Sequence, residues 1–190
     1  MLNAPAASKC RVADSERLSA IRPGFRLYFN LSARQVSDLN LVESFIRARD
    51  SGVDLCTLGI EVTETDAMRD VEATRRVCAE LRALGVSVAI DDFGSGYSSL
   101  SFLKQLQVDV LKIDRSFIAG VADDRHDQTI TETILAIAEN FGFIPLAEGV
   151  ETPEQLAWLR ERSCRLVQGF GICRPLPLDA FIDWLRSYPA

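Results

Sequence analysis

The chain has 190 residues, 47% of them hydrophobic and 25% charged, enough to bury one ordinary core and in keeping with a single globular domain. A net charge of -6 and a pI near 4.9 exclude the clustered Lys and Arg on which binding to a nucleic-acid polymer rests, but leave room for a small phosphate ester if cations invert the local field. No apolar run approaches the roughly 20 residues of a membrane helix. The opening Met1-Leu2-Asn3-Ala4-Pro5 lacks the regions of a signal peptide, so the cytoplasm is the expected location. Cys10, Cys56, Cys78, Cys164 and Cys173 are odd in number and never form a Cys-x-x-Cys pair, which argues for buried, reduced thiols and against a disulfide framework or a zinc site.

Residues 1–24 read as a loose segment with a helical remnant near Ser15 to Ile21, ending in Arg22-Pro23-Gly24. From there to residue 190 one unit recurs: a short apolar strand, a polar residue at its end, then an amphipathic helix. The expected strands are Arg26 to Leu31, Leu58 to Val62, Val86 to Ile90, Val108 to Ile113, Ile144 to Ala147 and Leu166 to Gln168. Helical patterns fall around Leu41 to Arg49, Val71 to Leu84, Ser98 to Gln105, Thr129 to Phe141, Pro153 to Arg162 and Leu178 to Leu185. Gly52, Gly85 and Gly142 follow helices, where a left-handed cap suits glycine, and Pro153 sits at a helix start.

Such alternation leaves an open doubly wound sheet or a closed (β/α) barrel. In an open sheet ligand residues gather at one switch point, whereas here each strand ends in its own polar group: Asn30, Glu61, Asp91 with Asp92, Lys112, Glu148 and Gln168. The expected fold is therefore an α/β, TIM-type (β/α) barrel. Six strands are short of eight and 190 residues fall below the roughly 250 usual for that fold, so the barrel is expected to be incomplete at its amino end.

Asp91-Asp92 closes the run Val86 to Ile90 and opens Phe93-Gly94-Ser95-Gly96-Tyr97. Two acids at a strand end are costly without a cation, so this pair marks a divalent-metal site, the alternative being an Asx turn or N-cap that feeds the helix beginning near Ser98. A bend at Phe93-Gly94 lets Asp91 bridge two ions while Asp92 holds the second. Asn30 offers a neutral oxygen, or caps a turn; Glu61 enters the site unless alternation turns it outward. Lys112 orients water or phosphate beside the acids, or snorkels to the surface. Glu148 or Glu151 takes a proton from water. Gln168 suits a base edge, or caps its strand. His126, within Asp123-Asp124-Arg125-His126-Asp127, reads as part of a solvated charged loop with no catalytic role.

The strings Asn30-Leu31-Ser32-Ala33-Arg34-Gln35, Glu61-Val62-Thr63-Glu64, Asp91 through Leu100 (DDFGSGYSSL), Leu111-Lys112-Ile113-Asp114, Ala147-Glu148-Gly149-Val150-Glu151-Thr152 and Gln168-Gly169-Phe170 together resemble the EAL family of bacterial cyclic di-GMP phosphodiesterases. The resemblance covers roughly residues 15 to 188. It implies a modified barrel that binds two Mg²⁺ or Mn²⁺ ions, is inhibited by Ca²⁺, and hydrolyses cyclic di-GMP to linear pGpG. By family position Asn30, Glu61 and Asp91 ligate one metal, and Asp91 with Asp92 the second. Lys112 contacts the water or scissile phosphate, and Glu148 is the general base. Glu64 holds the loop after Asp92, while Asp114, Glu151 and Gln168 shape the site and the guanine pocket. Expected partners are cyclic di-GMP, a second copy, and an upstream sensory or GGDEF-type domain. Two departures stand out. The Glu-Ala-Leu strand that names the family is missing, Glu16 being too near Asn30 to replace its metal-binding Glu, and Ser163-Cys164-Arg165 stands where the family usually has Gly-Cys-Asp. Without that Glu the phosphodiesterase activity of this chain is expected to be impaired, and the alternative reading is a degenerate domain, a non-catalytic cyclic di-GMP receptor or protein-interaction module.

Overall fold

The computed structural model describes residues 14–94 and 100–188. Six strands form one parallel sheet in sequential order, β1 (Leu27–Asn30), β2 (Leu58–Thr63), β3 (Ser87–Phe93), β4 (Val110–Ile113), β5 (Ile144–Ala147) and β6 (Leu166–Val167). Residues 14–21 are helical (α1), and the helices that follow are α2 (Ala33–Val36), α3 (Leu41–Asp50), α4 (Glu64–Arg69), α5 (Val71–Ala83), α6 (Leu100–Gln105), α7 (Arg115–Ile118), α8 (Arg125–Phe141), α9 (Pro153–Glu161) and α10 (Leu178–Ser187). The sheet curls as part of a TIM-type barrel, with six parallel strands among the described residues.

Strand alternation sorts residues between two faces. Leu58, Ile60, Val62, Val88, Ile90, Leu111 and Ile113 point outward and are buried under Val77, Cys78 and Leu81 of α5, Ile134 and Ala138 of α8, and Leu159 of α9. The inner face carries Tyr28, Asn30, Gly59, Glu61, Ser87, Ala89, Asp91, Val110 and Lys112 in register. Low on that face the Tyr28 hydroxyl meets the Ser87 hydroxyl at 2.9 Å, and the ring crosses Gly59 so closely that any Cβ there would collide with it. A satellite core joins the two ends of the described chain. Leu18 of α1 packs with Ile182 and Leu185 of α10, flanked by Phe25, Phe181 and Trp184.

Helix ends follow local chemistry. Gly142 caps α8 in the left-handed conformation at φ 74°, and Thr152 with Gln155 forms a capping box at α9. Three short helices go beyond the sequence expectation. These are α2, α4 and α7, each a turn or little more, headed by Ser32, Thr63 and Asp114. Helix α8 begins four residues earlier than its apolar period, because Asp124 accepts N–H bonds from His126 and Asp127. His126 therefore stands exposed in a helical first turn and not in a loop. Strand β3 runs three residues further than expected, to Phe93. Ser95 to Ser99 and Cys10 lie outside the described residues; Cys56, Cys78, Cys164 and Cys173 are free thiols, of which Cys78 and Cys164 are buried as expected while Cys56 is exposed and Cys173 half-buried.

Candidate active site

The carboxyl ends of β2, β3, β4 and β5 converge on Lys112. Leu111 and Ile113 face the helices, so Lys112 faces inward, where it is 3% exposed and does not snorkel. Its ammonium lies 2.9 Å from Glu61 Oε2, 2.9 Å from Asp91 Oδ1 and 2.7 Å from Glu148 Oε1. Burial favours the neutral amine, but the hydrogen bonds to Glu148, Glu61 and Asp91 outweigh it and hold the lysine above its usual range. Burial likewise raises Glu148, opposed by the hydrogen bond from Lys112 and reinforced by the charges of Asp91 and Glu61.

A β-bulge brings the adjacent aspartates to one side. Ile90 pairs with Leu111 and Phe93 with Ile113, so Asp91 and Asp92 together oppose Lys112. Asp92 adopts φ 54°, a left-handed conformation tolerated by aspartate, and its N–H donates to Asp91 Oδ1 at 3.0 Å. The bend expected at Phe93-Gly94 thus begins earlier, at the aspartates themselves. Oxygens of Asp91, Asp92 and Glu148 all lie within 4.8 Å of one another. Burial raises the Asp92 carboxyl, as do the charges of Asp91 and Asp114 and a hydrogen bond shared with Asp114. Burial also acts on Asp114, but bonds from the Ser116 hydroxyl and N–H prevail and lower it; that N–H bond is 2.8 Å.

The remaining residues singled out from sequence surround this cluster at different removes. Asn30 ends β1 opposite Glu61 in the ladder and is exposed. Glu64 is 1% exposed and its Oε2 accepts the Gly94 N–H at 3.0 Å, tying the start of α4 to the turn after Asp92. Gln168 lines a concavity of about 300 Å³ with Glu61, Lys112 and Leu146. Glu151 is exposed, and its N–H donates to Gln155 Oε1 at 2.8 Å. Sequence reasoning passed over Arg26 and Tyr28, which line the same concavity. They stand four and two residues before Asn30, so the alternation that turns Asn30 inward marks them too.

A model of the EAL domain family matches residues 7–175. Cyclic di-GMP phosphodiesterase NbdA of Pseudomonas aeruginosa is 44% identical over 164 residues, covering 86% of this chain and 21% of NbdA. The solved structure titled PaMucR phosphodiesterase, c-di-GMP complex, superposes with a TM-score of 0.82 at 39% identity, covering 90% of this chain and 70% of that one. The manganese and cyclic-diGMP complex of Klebsiella pneumoniae BlrP1 gives a TM-score of 0.77 at 32% identity, covering 87% and 42%. The chain spans about a fifth of the length of NbdA.

Proposed function

The chain belongs to the EAL domain family, and from that membership we propose that it carries the site of a cyclic di-GMP phosphodiesterase, which hydrolyses one phosphodiester of cyclic di-GMP to linear pGpG. The observation that supports this most is the meeting of Asp91, Asp92 and Glu148 oxygens within 4.8 Å beside Lys112. With Glu61, four carboxylates gather around one ammonium that contacts three of them, an excess of negative charge that calls for cations of high charge density. The donors are hard carboxylate oxygens, the ligand class that Mg²⁺ and Mn²⁺ take, so the chemistry of the residues fits these ions.

Asn30, Glu61 and Asp91 would hold one ion, and Asp91 with Asp92 the second, with Glu148 close enough to Asp91 and Asp92 to assist. Such ions, when bound, lower the pKa of water and neutralise charge on phosphate oxygens. The chain's own groups do the rest. Glu148, its proton affinity raised by burial, takes the proton of the attacking water. Lys112 keeps Glu61, Asp91 and Glu148 turned to one point, and its ammonium faces the scissile phosphate. Glu64 anchors the turn after Asp92, and Asp114 restrains the Asp92 carboxyl. Gln168 offers an amide donor and acceptor to a guanine edge, with Glu151 shaping that side of the pocket.

Residues 25–190 then form the barrel domain, with 1–24 leading into it. No helix among the described residues is long and apolar enough to cross a membrane. From the family membership we place the domain in the cytoplasm, where its substrate class acts as a second messenger. Regulation would come from a second copy and from a sensory or GGDEF-type domain joined upstream. Incubation with cyclic di-GMP and Mn²⁺ should yield pGpG on chromatography, and calorimetry in Ca²⁺ should show binding with hydrolysis blocked. Binding without turnover in Mn²⁺ would favour the receptor reading. Tighter binding to single-stranded DNA than to cyclic di-GMP would overturn both.

A further inference from the structure

The catalytic end of β1 is held by a carboxylate outside the acidic cluster. We infer that Asp66 is a positioning residue that fixes the turn from β1 to α2, and with it the Asn30 amide, for cation binding; this rests on the reading above that strand-end residues hold divalent ions. Within the described residues β1 pairs on one side only, with β2, and spans four residues. Beyond its end the ladder continues by one bond, from the Leu31 N–H to the Glu61 carbonyl at 2.8 Å.

At the start of α2 the Gln35 and Val36 N–H groups donate to the Ser32 carbonyl at 2.9 and 3.0 Å, whereas the Ala33 N–H, at the first helical position, needs a partner from elsewhere. Gln35 Oε1 accepts from the Ser32 N–H at 3.1 Å. The Ala33 N–H instead reaches Asp66 Oδ2 at 3.1 Å, across 33 positions of sequence. Asp66 is itself anchored beside the site. It stands in the first turn of α4, and its N–H donates to Thr63 Oγ1 at 3.2 Å directly after the strand that carries Glu61. The other carboxylate oxygen, Oδ1, faces Arg69 Nε at 3.5 Å, one turn further along the same helix, so each oxygen has a neighbour of its own.

An acid in a helical first turn often serves only its own helix, where the positive end of the dipole favours it. The bond to Ala33 goes further and joins two strand ends whose inward residues, Asn30 and Glu61, are paired in register. A helix of four residues contributes little order of its own, so the turn depends on such ties. Loosening it moves Asn30 relative to Glu61 and Asp91 without touching any ligand.

The test is calorimetric titration of the full chain with Mn²⁺, together with thermal melting. Asp66→Ala should weaken Mn²⁺ binding about tenfold, the scale of losing a residue that orients a ligand. Ala33→Pro removes the donor while keeping the carboxylate, and it suits the first helical position because Ser32 is already extended at φ -76°, ψ 160°. It should weaken binding comparably, and the double variant should be no weaker than either single one. Asp66→Asn keeps an oxygen acceptor and should restore most of the affinity. Wild-type affinity in both Asp66→Ala and Ala33→Pro would overturn the inference while leaving the cation site standing. Absence of Mn²⁺ binding by the wild type would remove the cation site and the inference with it.

Discussion

The two faces of the one sheet obey opposite rules within single strands. Ile60 and Val62 are fully buried against helices, and Glu61 between them turns inward to an ammonium. Leu111 and Ile113 likewise flank Lys112, and Ile90 precedes the Asp91-Asp92 bulge. Residues one step apart thus divide stability from chemistry. The outer face is apolar because it packs, whereas the inner face gathers like charges that oppose folding until something balances them. A substitution on one face should leave the other's function largely untouched.

The largest effect expected on stability comes from Lys112→Met. It strips three carboxylates of their shared ammonium and should cost about 3–5 kcal/mol, as breaking a buried ion pair does. Urea unfolding would read this, and Mn²⁺ should recover more of the loss in the variant than it adds to the wild type. Stability unchanged in Lys112→Met would mean that the acids do not crowd one another. Ile90→Ala on the outer face should cost about 2–5 kcal/mol through lost burial and a cavity, with Mn²⁺ affinity preserved in the folded fraction. A matching loss of Mn²⁺ affinity would show the faces to be coupled. Ser163→Gly lies outside both. Ser163 holds φ 60°, which glycine adopts without Cβ strain, so the change should stabilise by about 1 kcal/mol, read as a higher urea midpoint with unchanged Mn²⁺ binding.

Much of this division could be read from sequence, because alternation and periodicity are local. The run Leu58 to Val62 already shows a lone acid between the β-branched Ile60 and Val62, and Gly142 after an amphipathic period marks the cap of α8. The short helices escaped because a single turn has no period to detect. Their signals lie in caps instead, such as Ser32 with Gln35, Thr63 with Asp66, and Asp114 with Ser116. The bulge escaped for another reason. Two residues of β3 opposing Lys112 is a property of strand pairing, and nothing in Asp91-Asp92 alone states which β4 residue it meets. The closeness of Glu148 to Asp91 and Asp92 depends on the same pairing and on the curl of the sheet. Ser163 shows a departure from the family pattern absorbed locally, since serine takes the left-handed turn that glycine usually fills there.

If the inner-face carboxylates hold divalent ions that act on cyclic di-GMP, Asp91 stands where the two ion sites would meet. Asp91→Asn keeps nearly the same volume and an oxygen for Lys112 while removing one charge. The most direct measurement is the rate of pGpG formation with Mn²⁺ in the complete protein, wild type against Asp91→Asn, with the urea midpoint of each recorded alongside. Turnover in Asp91→Asn should be lower by at least about a hundredfold with the midpoint nearly unmoved. Near-wild-type turnover in Asp91→Asn would contradict the two-ion reading.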